Sequence, residues 1–137
     1  MSHRFDLRVY YEDTDLAGFV YYANYFKFIE RARSEWVREM GVDQAAMKAE
    51  QGVVFAVRRV EADYFMPAQY DDKLIVRTDV QKQTGARLVL KQTVLRGEDP
   101  LFEALVTIVA IAANGAAARL PAIRWKRRNK GRPARPA

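Results

Sequence analysis

The sequence predicts an α+β domain in which one antiparallel β-sheet of about five strands wraps around a single long central α-helix. Three observations predict it: a helical hydrophobic period over residues 22–40, alternating apolar residues on either side of that segment, and short turn-like separators between the last strands. Because an apolar helical stripe and an apolar sheet face bury each other, the helix and the sheet form two packed layers.

The first two elements differ in their period. Alternation over residues 5–11, where Phe5, Leu7 and Val9 lie on one side, predicts a strand with one buried face. The helical stripe then recurs every three or four residues and consists of Tyr22, Tyr25, Phe26, Ile29, Arg33, Trp36, Val37 and Met40. Gly41 fits a C-terminal helix cap, and Asp43 can cap a short second helix that runs to about Glu50.

Four further strands follow these helices. We predict them over residues 53–66, 73–83, 87–96 and 101–113, with turns at residues 67–72, at Gly85 and at residues 97–100. A parallel pair would need a crossover of a dozen or more residues between its strands. The short separators therefore predict antiparallel neighbours.

The charge of the chain is concentrated at one end. Eight of the 23 Lys and Arg residues follow Asn114, in a segment that has no acidic residue. Residues 1–113 contain the other 15, together with all 17 acidic residues. The pI near 9.7 therefore describes a tail and not a basic face of the domain. We predict a single domain over residues 1–125 and a basic, disordered tail over residues 126–137.

Cysteine and histidine usage removes several kinds of chemistry. The chain has no cysteine, which excludes disulfides, thiol nucleophiles and thiolate metal sites. Its single histidine, His3, lies near the N-terminus, so histidine metal clusters and interior Ser-His-Asp arrangements are excluded as well. We expect no metal and no cofactor, and the chemistry must use carboxylates, hydroxyls, backbone dipoles or water.

Targeting and membrane signals are missing from the sequence. Residues 1–15 carry charges every few positions, and no window approaches the length of an uncharged membrane span. We therefore expect a cytoplasmic protein with no membrane span.

The most informative segment is the acidic loop before the helix. Glu12, Asp13 and Asp15 lie within four residues and are followed by Gly18, which can supply a backbone conformation with positive φ. Acidic residues before a helix N-terminus also interact favourably with the helix dipole. Physics alone therefore favours a capping role for this loop over a catalytic one.

The segment YYEDTDLAGFVYYANY at residues 10–25, with FKFIERARSEW after it, closely resembles the hotdog-fold thioesterases. The resemblance is specifically to Tol-Pal-associated acyl-CoA thioesterases of the YbgC type and to 4-hydroxybenzoyl-CoA thioesterases. It continues through FAVRRVEADYFMPAQYDDKL at residues 55–74 and extends to about Leu120 and Pro121. The implied fold is the hotdog fold, an antiparallel sheet around one central helix.

The resemblance implies one catalytic carboxylate, the second aspartate of Asp-Thr-Asp, which is Asp15. It also implies that the backbone N–H of Tyr22 donates to the thioester carbonyl at the helix N-terminus, where the dipole stabilises an oxyanion. Asp15 would attack the carbonyl carbon to give a mixed anhydride, or deprotonate an attacking water. The sequence does not separate these two routes.

The other implied site residues are weaker assignments. Gly18, Val20, Asn24 and Tyr25 are predicted to line the substrate site, with Gly18 shaping the loop and Asn24 tying the loop to the helix. The phosphates of coenzyme A require basic residues at the mouth of the site, for which the candidates are Arg58, Arg59, Arg87 and Lys91. The resemblance further implies a homo-oligomer, a dimer that assembles into a dimer of dimers, with each active site between two subunits.

Other functions remain open at this point. The same fold could take acyl carrier protein thioesters, or the body could be a non-catalytic oligomer whose basic tail binds anionic partners, although we expect no nucleic acid. Dehydratases of this fold use a histidine, and His3 lies in the wrong place for that chemistry. YbgC-type members commonly have histidine where this chain has Tyr22, and the 4-hydroxybenzoyl-CoA branch has tyrosine there, so the preferred acyl group is not assigned.

Overall fold

The computed structural model describes residues 2–121. Its regular elements, in chain order, are β1 (His3–Arg8), α1 (Asn24–Glu39), α2 (Gln44–Gln51), β2 (Val53–Tyr64), β3 (Lys73–Gln83), β4 (Leu88–Arg96), β5 (Asp99–Ala112) and β6 (Ala117–Ala118). None of the described helices is long and apolar enough to cross a membrane. The predicted tail over residues 126–137 lies outside the described residues, as does the end of the predicted domain.

All the strands form one antiparallel sheet, as the short separators predict. Its order is β1-β3-β4-β5-β2, and β6 pairs with the far end of β5. Five strands were predicted, and the sixth was missed because two residues are too few to show an alternating pattern. The β2 and β1 strands are the two ends of the strand order, so each has one edge without a partner strand among residues 2–121.

The α1 helix packs its apolar stripe on the inner face of the sheet. Trp36 is 2% exposed, which confirms its predicted place in the core, and Phe28 and Ala32 are also buried. The predicted stripe differs slightly from the buried face of the helix. It omits Phe28 and Ala32 and includes Phe26, which is 37% exposed. The helix and the inner faces of β3, β4 and β5 thus enclose one core.

Two predicted boundaries are wrong beside the acidic loop. The first strand ends at Arg8, because Tyr10 N–H donates to the Asp13 carboxylate and starts a single 3₁₀ turn at Tyr11–Asp13. The helix begins at Asn24, because Asn24 N–H donates to Tyr21 O in a turn that holds Tyr22 outside the helix. Both differences lengthen the loop that leads into α1.

The predicted caps and turns agree with the structure apart from their exact ends. Gly41 has φ of 86° and follows Met40, the C-cap of α1, and the Asp43 side chain accepts from Ala46 N–H at 3.0 Å at the start of α2. The turn before β5 is only Gly97 and Glu98, so β5 begins at Asp99 and not at Leu101. Gly97 has φ of 61°, which suits a two-residue hairpin turn.

Candidate active site

A small hairpin precedes α1 and carries the acidic loop. Thr14 pairs with Val20, Asp15 N–H donates to Phe19 O at 2.8 Å, and Tyr21 N–H donates to Asp13 O at 3.0 Å. This ladder brings the loop back to the start of α1, so Asp15 and Tyr21, the residue before Tyr22, belong to one hydrogen-bonded unit.

The Asp15 carboxylate is exposed and held in one orientation by its own loop. Its Oδ1 accepts from Ala17 N–H at 3.0 Å and from Phe19 N–H at 3.3 Å. Among the described residues, no group donates to its Oδ2. One oxygen therefore anchors the carboxylate, and the other is available to a substrate or a water.

Gly18 makes this turn possible. It has φ of 84°, a left-handed conformation that favours glycine, and its N–H donates to Asp15 O at 3.0 Å. Its carbonyl accepts from Tyr70 N–H in the neighbouring loop at 3.3 Å. The predicted geometric role of Gly18 is therefore what the structure shows.

The backbone N–H of Tyr22 lies just before the first turn of α1. Within residues 2–121 no acceptor is bonded to it or to the next N–H, that of Ala23, whereas the N–H groups of Tyr21 before them and Asn24 after them are both occupied. A free N–H at the positive end of a 16-residue helix is suited to polarise a carbonyl and to stabilise an oxyanion.

Asp13 and Asn24 fasten the loop to the helix. Asp13 is buried, its Oδ2 accepts from Tyr10 N–H at 2.8 Å, and its carbonyl accepts from Asn24 Nδ2 at 2.9 Å. The predicted tie between Asn24 and the loop is thus present in the structure. Asp13 therefore has a structural role through its side chain and its carbonyl, whereas the Asp15 carboxylate is exposed.

An aromatic cluster supports the helix start from below. The Tyr25 ring stacks on Phe102 at 4.9 Å, and Tyr64 lies against Phe102 at 5.0 Å and Tyr25 at 5.6 Å. Tyr25 is 2% exposed, and this burial raises its pKa, whereas the hydrogen bond that its hydroxyl accepts from Ala68 N–H at 3.0 Å acts in the opposite direction. Tyr25 and the buried Val20 were predicted to line the substrate site, but in this chain both side chains pack in the core.

Tyr64 bonds directly to the residue that offers the free N–H. Its hydroxyl donates to Tyr22 O at 3.0 Å, and desolvation raises its pKa, so the hydroxyl stays protonated at neutral pH. It therefore helps to fix the peptide units at the helix start.

We expect Tyr64→Phe to lower the free energy of unfolding by about 1 kcal/mol, because one hydrogen bond at a half-exposed position is lost. Chemical denaturation measures this change. Tyr70→Phe is the matched control, since Tyr70 is similarly exposed and its hydroxyl has no partner among the described residues. Equal stability of Tyr64→Phe and wild type would show that the bond does not hold the helix start.

A second loop, residues 65–72, closes the other side of the site. Val20 N–H donates to Ala68 O at 2.8 Å, and Phe19 forms a bridge with Gln69. Arg96 fastens this loop by donating from Nη1 to Asp72 Oδ2 at 2.7 Å. Neither Arg96 nor Tyr64 was predicted to belong to the site, because both act across strands and a single sequence does not show such partners.

The four candidate phosphate-binding residues are not brought together around Asp15 in one chain. Arg59 pairs with Glu61 at 2.9 Å and Lys91 with Glu103 at 3.4 Å. Arg87 precedes β4, whereas Arg96, at the other end of that strand, contacts the site loop. Arg58 lies at the β-bulge of edge strand β2, where it is exposed.

The surface around the site is unusually apolar. Exposed aromatic, leucine and methionine side chains cluster in the two site loops and at the helix start: Tyr10, Tyr11, Leu16, Phe19, Tyr21, Tyr22, Phe26, Tyr64, Phe65, Met66 and Tyr70. Such a patch marks a binding surface for an apolar ligand or another protein surface.

A comparison with protein families decides the relationship. The family model of the thioesterase superfamily matches residues 17–103, which run from the loop with Gly18 to β5. The chain belongs to the thioesterase superfamily.

Individual relatives of this thioesterase-superfamily chain support the same family assignment. It is 42% identical over 109 residues to the Acyl-CoA thioester hydrolase YbgC of Escherichia coli O6:H1, covering 79% of this chain and 81% of that protein. It is 39% identical over 107 residues to the Acyl-CoA thioesterase YbgC of Haemophilus influenzae, covering 78% of this chain and 79% of that protein.

A solved structure matches the architecture. The crystal structure of a probable thioesterase from Bartonella henselae superimposes with a TM-score of 0.84 at 39% identity, covering 88% of this chain and all of that chain. The sheet wrapped on one central helix is therefore the hotdog fold, as predicted for this thioesterase-superfamily chain.

Proposed function

We propose that the chain hydrolyses acyl-CoA thioesters at the loop between β1 and α1. The observation that carries the proposal is the pairing of an anchored Asp15 carboxylate, with Oδ2 open, and the unoccupied N–H of Tyr22 at the helix start. Relatives about 40% identical are named acyl-CoA thioester hydrolases, which supports the same substrate class.

Two routes of hydrolysis can use the Asp15 carboxylate and the Tyr22 N–H. In the first, Asp15 Oδ2 attacks the carbonyl carbon, the C–S bond breaks, the thiolate leaves and is protonated by solvent, and water hydrolyses the mixed anhydride. In the second, Asp15 takes a proton from water as the water oxygen attacks the carbonyl carbon, the C–S bond breaks, and Asp15 returns that proton to the leaving sulfur to give the thiol. In both, Tyr22 N–H stabilises the oxyanion, and the good thiolate leaving group removes the need for a histidine acid.

The substrate carrier is tested by following thiol release from matched thioesters. We expect turnover of short-chain or aromatic acyl-CoAs, and slower turnover of the same acyl groups on acyl carrier protein. The described body is slightly acidic, which does not favour an acidic carrier protein. Faster turnover of the carrier-protein thioesters would assign them as substrates instead, and no turnover of either series would contradict the proposed function.

We further propose that two copies pair through the open edge of β2 and that dimers associate through the outer face of the sheet. Val60 and Val57 are apolar positions of this edge strand that are 37% and 47% exposed, and a second copy would cover them. On the outer face, Leu105 is 38% exposed beside the Lys91–Glu103 pair. Assembly would also cover part of the apolar surface around the site.

We expect light scattering after size exclusion to give a tetramer for wild type, monomers for Val60→Asp and dimers for Leu105→Asp. A buried unpaired carboxylate at either interface carries a desolvation penalty of several kcal/mol. Leu16→Asp, at a fully exposed loop tip, serves as the control and should leave the tetramer intact. A wild-type monomer, or a Val60→Asp variant that still assembles fully, would contradict the proposed arrangement.

A further inference from the structure

One peptide group connects the two loops of the site. Its carbonyl belongs to Gly18 and accepts from Tyr70 N–H in the loop of residues 65–72 at 3.3 Å. Its N–H belongs to Phe19 and is one of the two backbone donors that hold Asp15 Oδ1, at 3.3 Å. Because a peptide group is planar, turning its carbonyl also turns the N–H that holds the carboxylate.

The next peptide group makes a second connection between the same loops. Its carbonyl, on Phe19, accepts from Asp15 N–H at 2.8 Å, and its N–H, on Val20, donates to Ala68 O at 2.8 Å. Each of the two peptide groups therefore bonds to Asp15 on one side and to residues 65–72 on the other. The orientation of the Asp15 carboxylate thus depends on a segment that is remote from it in the sequence.

A half-buried ion pair fixes this remote segment. Asp72 Oδ2 accepts from Arg96 Nη1 at 2.7 Å and from Gln69 N–H at 2.8 Å, and Arg96 Nη1 also donates to Pro67 O at 3.4 Å. With side chains 32% and 21% exposed, Arg96 and Asp72 form the least exposed arginine–carboxylate pair within residues 2–121. Arg96, the last residue of β4, therefore ties the turn at residues 69–72 to the sheet.

We infer that Arg96 is a positioning residue for thioester hydrolysis, which acts through the loop of residues 65–72 on the orientation of the Asp15 carboxylate. Without Arg96, the half-buried Asp72 carboxylate would lose its ion-pair partner and turn toward water, which breaks its bond to Gln69 N–H. The effect on rate rests on the proposed function, whereas the effect on the loop does not.

The rate test compares kcat and KM for thiol release by wild type, Arg96→Gln and Arg96→Lys. A reacting group misplaced by about 1 Å slows a reaction by up to about 100-fold, so we expect Arg96→Gln to lower kcat about tenfold or more. KM should change by less than about twofold, because the loss falls on the transition state. Arg96→Lys should recover most of the rate, since Arg96 uses one nitrogen, Nη1, for the ion pair.

Arg8→Gln is the matched control. Arg8 pairs with Asp71 of the same turn at 2.8 Å, but these side chains are 42% and 62% exposed, and exposed ion pairs contribute little. We expect Arg8→Gln to keep the wild-type kcat. Thermal melts establish that each variant is folded, and Asp72→Asn removes the pair from its other side if Arg96→Gln fails to fold.

The Asp15→Asn background separates positioning of the carboxylate from general damage to the site. If Arg96 acts through the Asp15 carboxylate, adding Arg96→Gln to Asp15→Asn should lower the residual rate by less than about twofold. An equal loss in both backgrounds would overturn the inference, and so would a wild-type kcat for Arg96→Gln.

Amide hydrogen exchange tests the loops without substrate. We expect Arg96→Gln to speed exchange of the Phe19 and Tyr70 N–H groups about tenfold or more, and Arg8→Gln to leave both unchanged. Absence of hydrolysis for every acyl-CoA would be a failure of the proposed function, and exchange would still test the link. Unchanged exchange of Phe19 N–H in Arg96→Gln would overturn the inference.

Discussion

Asp15→Asn should lower kcat/KM on the best acyl-CoA by roughly 10³-fold or more, the range expected when a nucleophile or general base is removed. The substitution keeps the size of the side chain and an oxygen that can accept from Ala17 and Phe19 N–H, so the loop stays in place. What it removes is the charge and nucleophilicity of the open Oδ2. Initial rates of thiol release measure the loss.

Glu12→Gln is the matched control for this experiment. Glu12 lies in the same loop and is exposed, and no hydrogen bond or ion pair joins its side chain to another of the described residues. We expect Glu12→Gln to keep the wild-type rate. Similar rates for Asp15→Asn and wild type, or equal losses in the two variants, would remove Asp15 from the mechanism.

Phe102→Ala should lower the free energy of unfolding by about 3–5 kcal/mol, the range for removing a large buried aromatic side chain. Phe102 is fully buried on β5 and contacts the rings of Tyr25, Phe26 and Tyr64, which together support the start of α1. Urea denaturation with a constant slope measures the loss.

The same variant tests whether the aromatic cluster positions the site. If the helix start depends on it, kcat should fall even under conditions where Phe102→Ala is fully folded. Leu16→Ala, at the exposed tip of the loop, is expected to change stability by no more than about 0.5 kcal/mol. A Phe102→Ala variant with wild-type stability would contradict the packing of Phe102 described above.

Periodicity predicted the fold well because each element buries one face. The alternation in β3 and the stripe containing Ile29 and Trp36 correspond to buried side chains in the structure. The predicted ends of β1 and α1 were wrong because local hydrogen bonds interrupt the regular pattern there. Tyr10 and Tyr22 look periodic, yet the Asp13 carboxylate and the turn at Tyr21 hold them outside the strand and the helix.

The candidate site was predicted only in its local part. Asp15, Gly18 and Asn24 lie within ten residues of one another, and the motif that contains them is long and specific. The supporting groups come from other strands, as with Tyr64, and depend on pairings that no single segment encodes.

The central claim is that Tyr22 N–H polarises the thioester carbonyl that Asp15 acts upon. The most direct measurement is the ¹³C resonance of an acyl-CoA labelled at its thioester carbonyl and bound to Asp15→Asn, which should bind substrate and turn it over slowly. The account predicts a downfield shift from the free thioester in water, because a dry hydrogen bond at a helix N-terminus withdraws electron density from the carbonyl. A bound thioester whose carbonyl resonance is unchanged or moves upfield would contradict it.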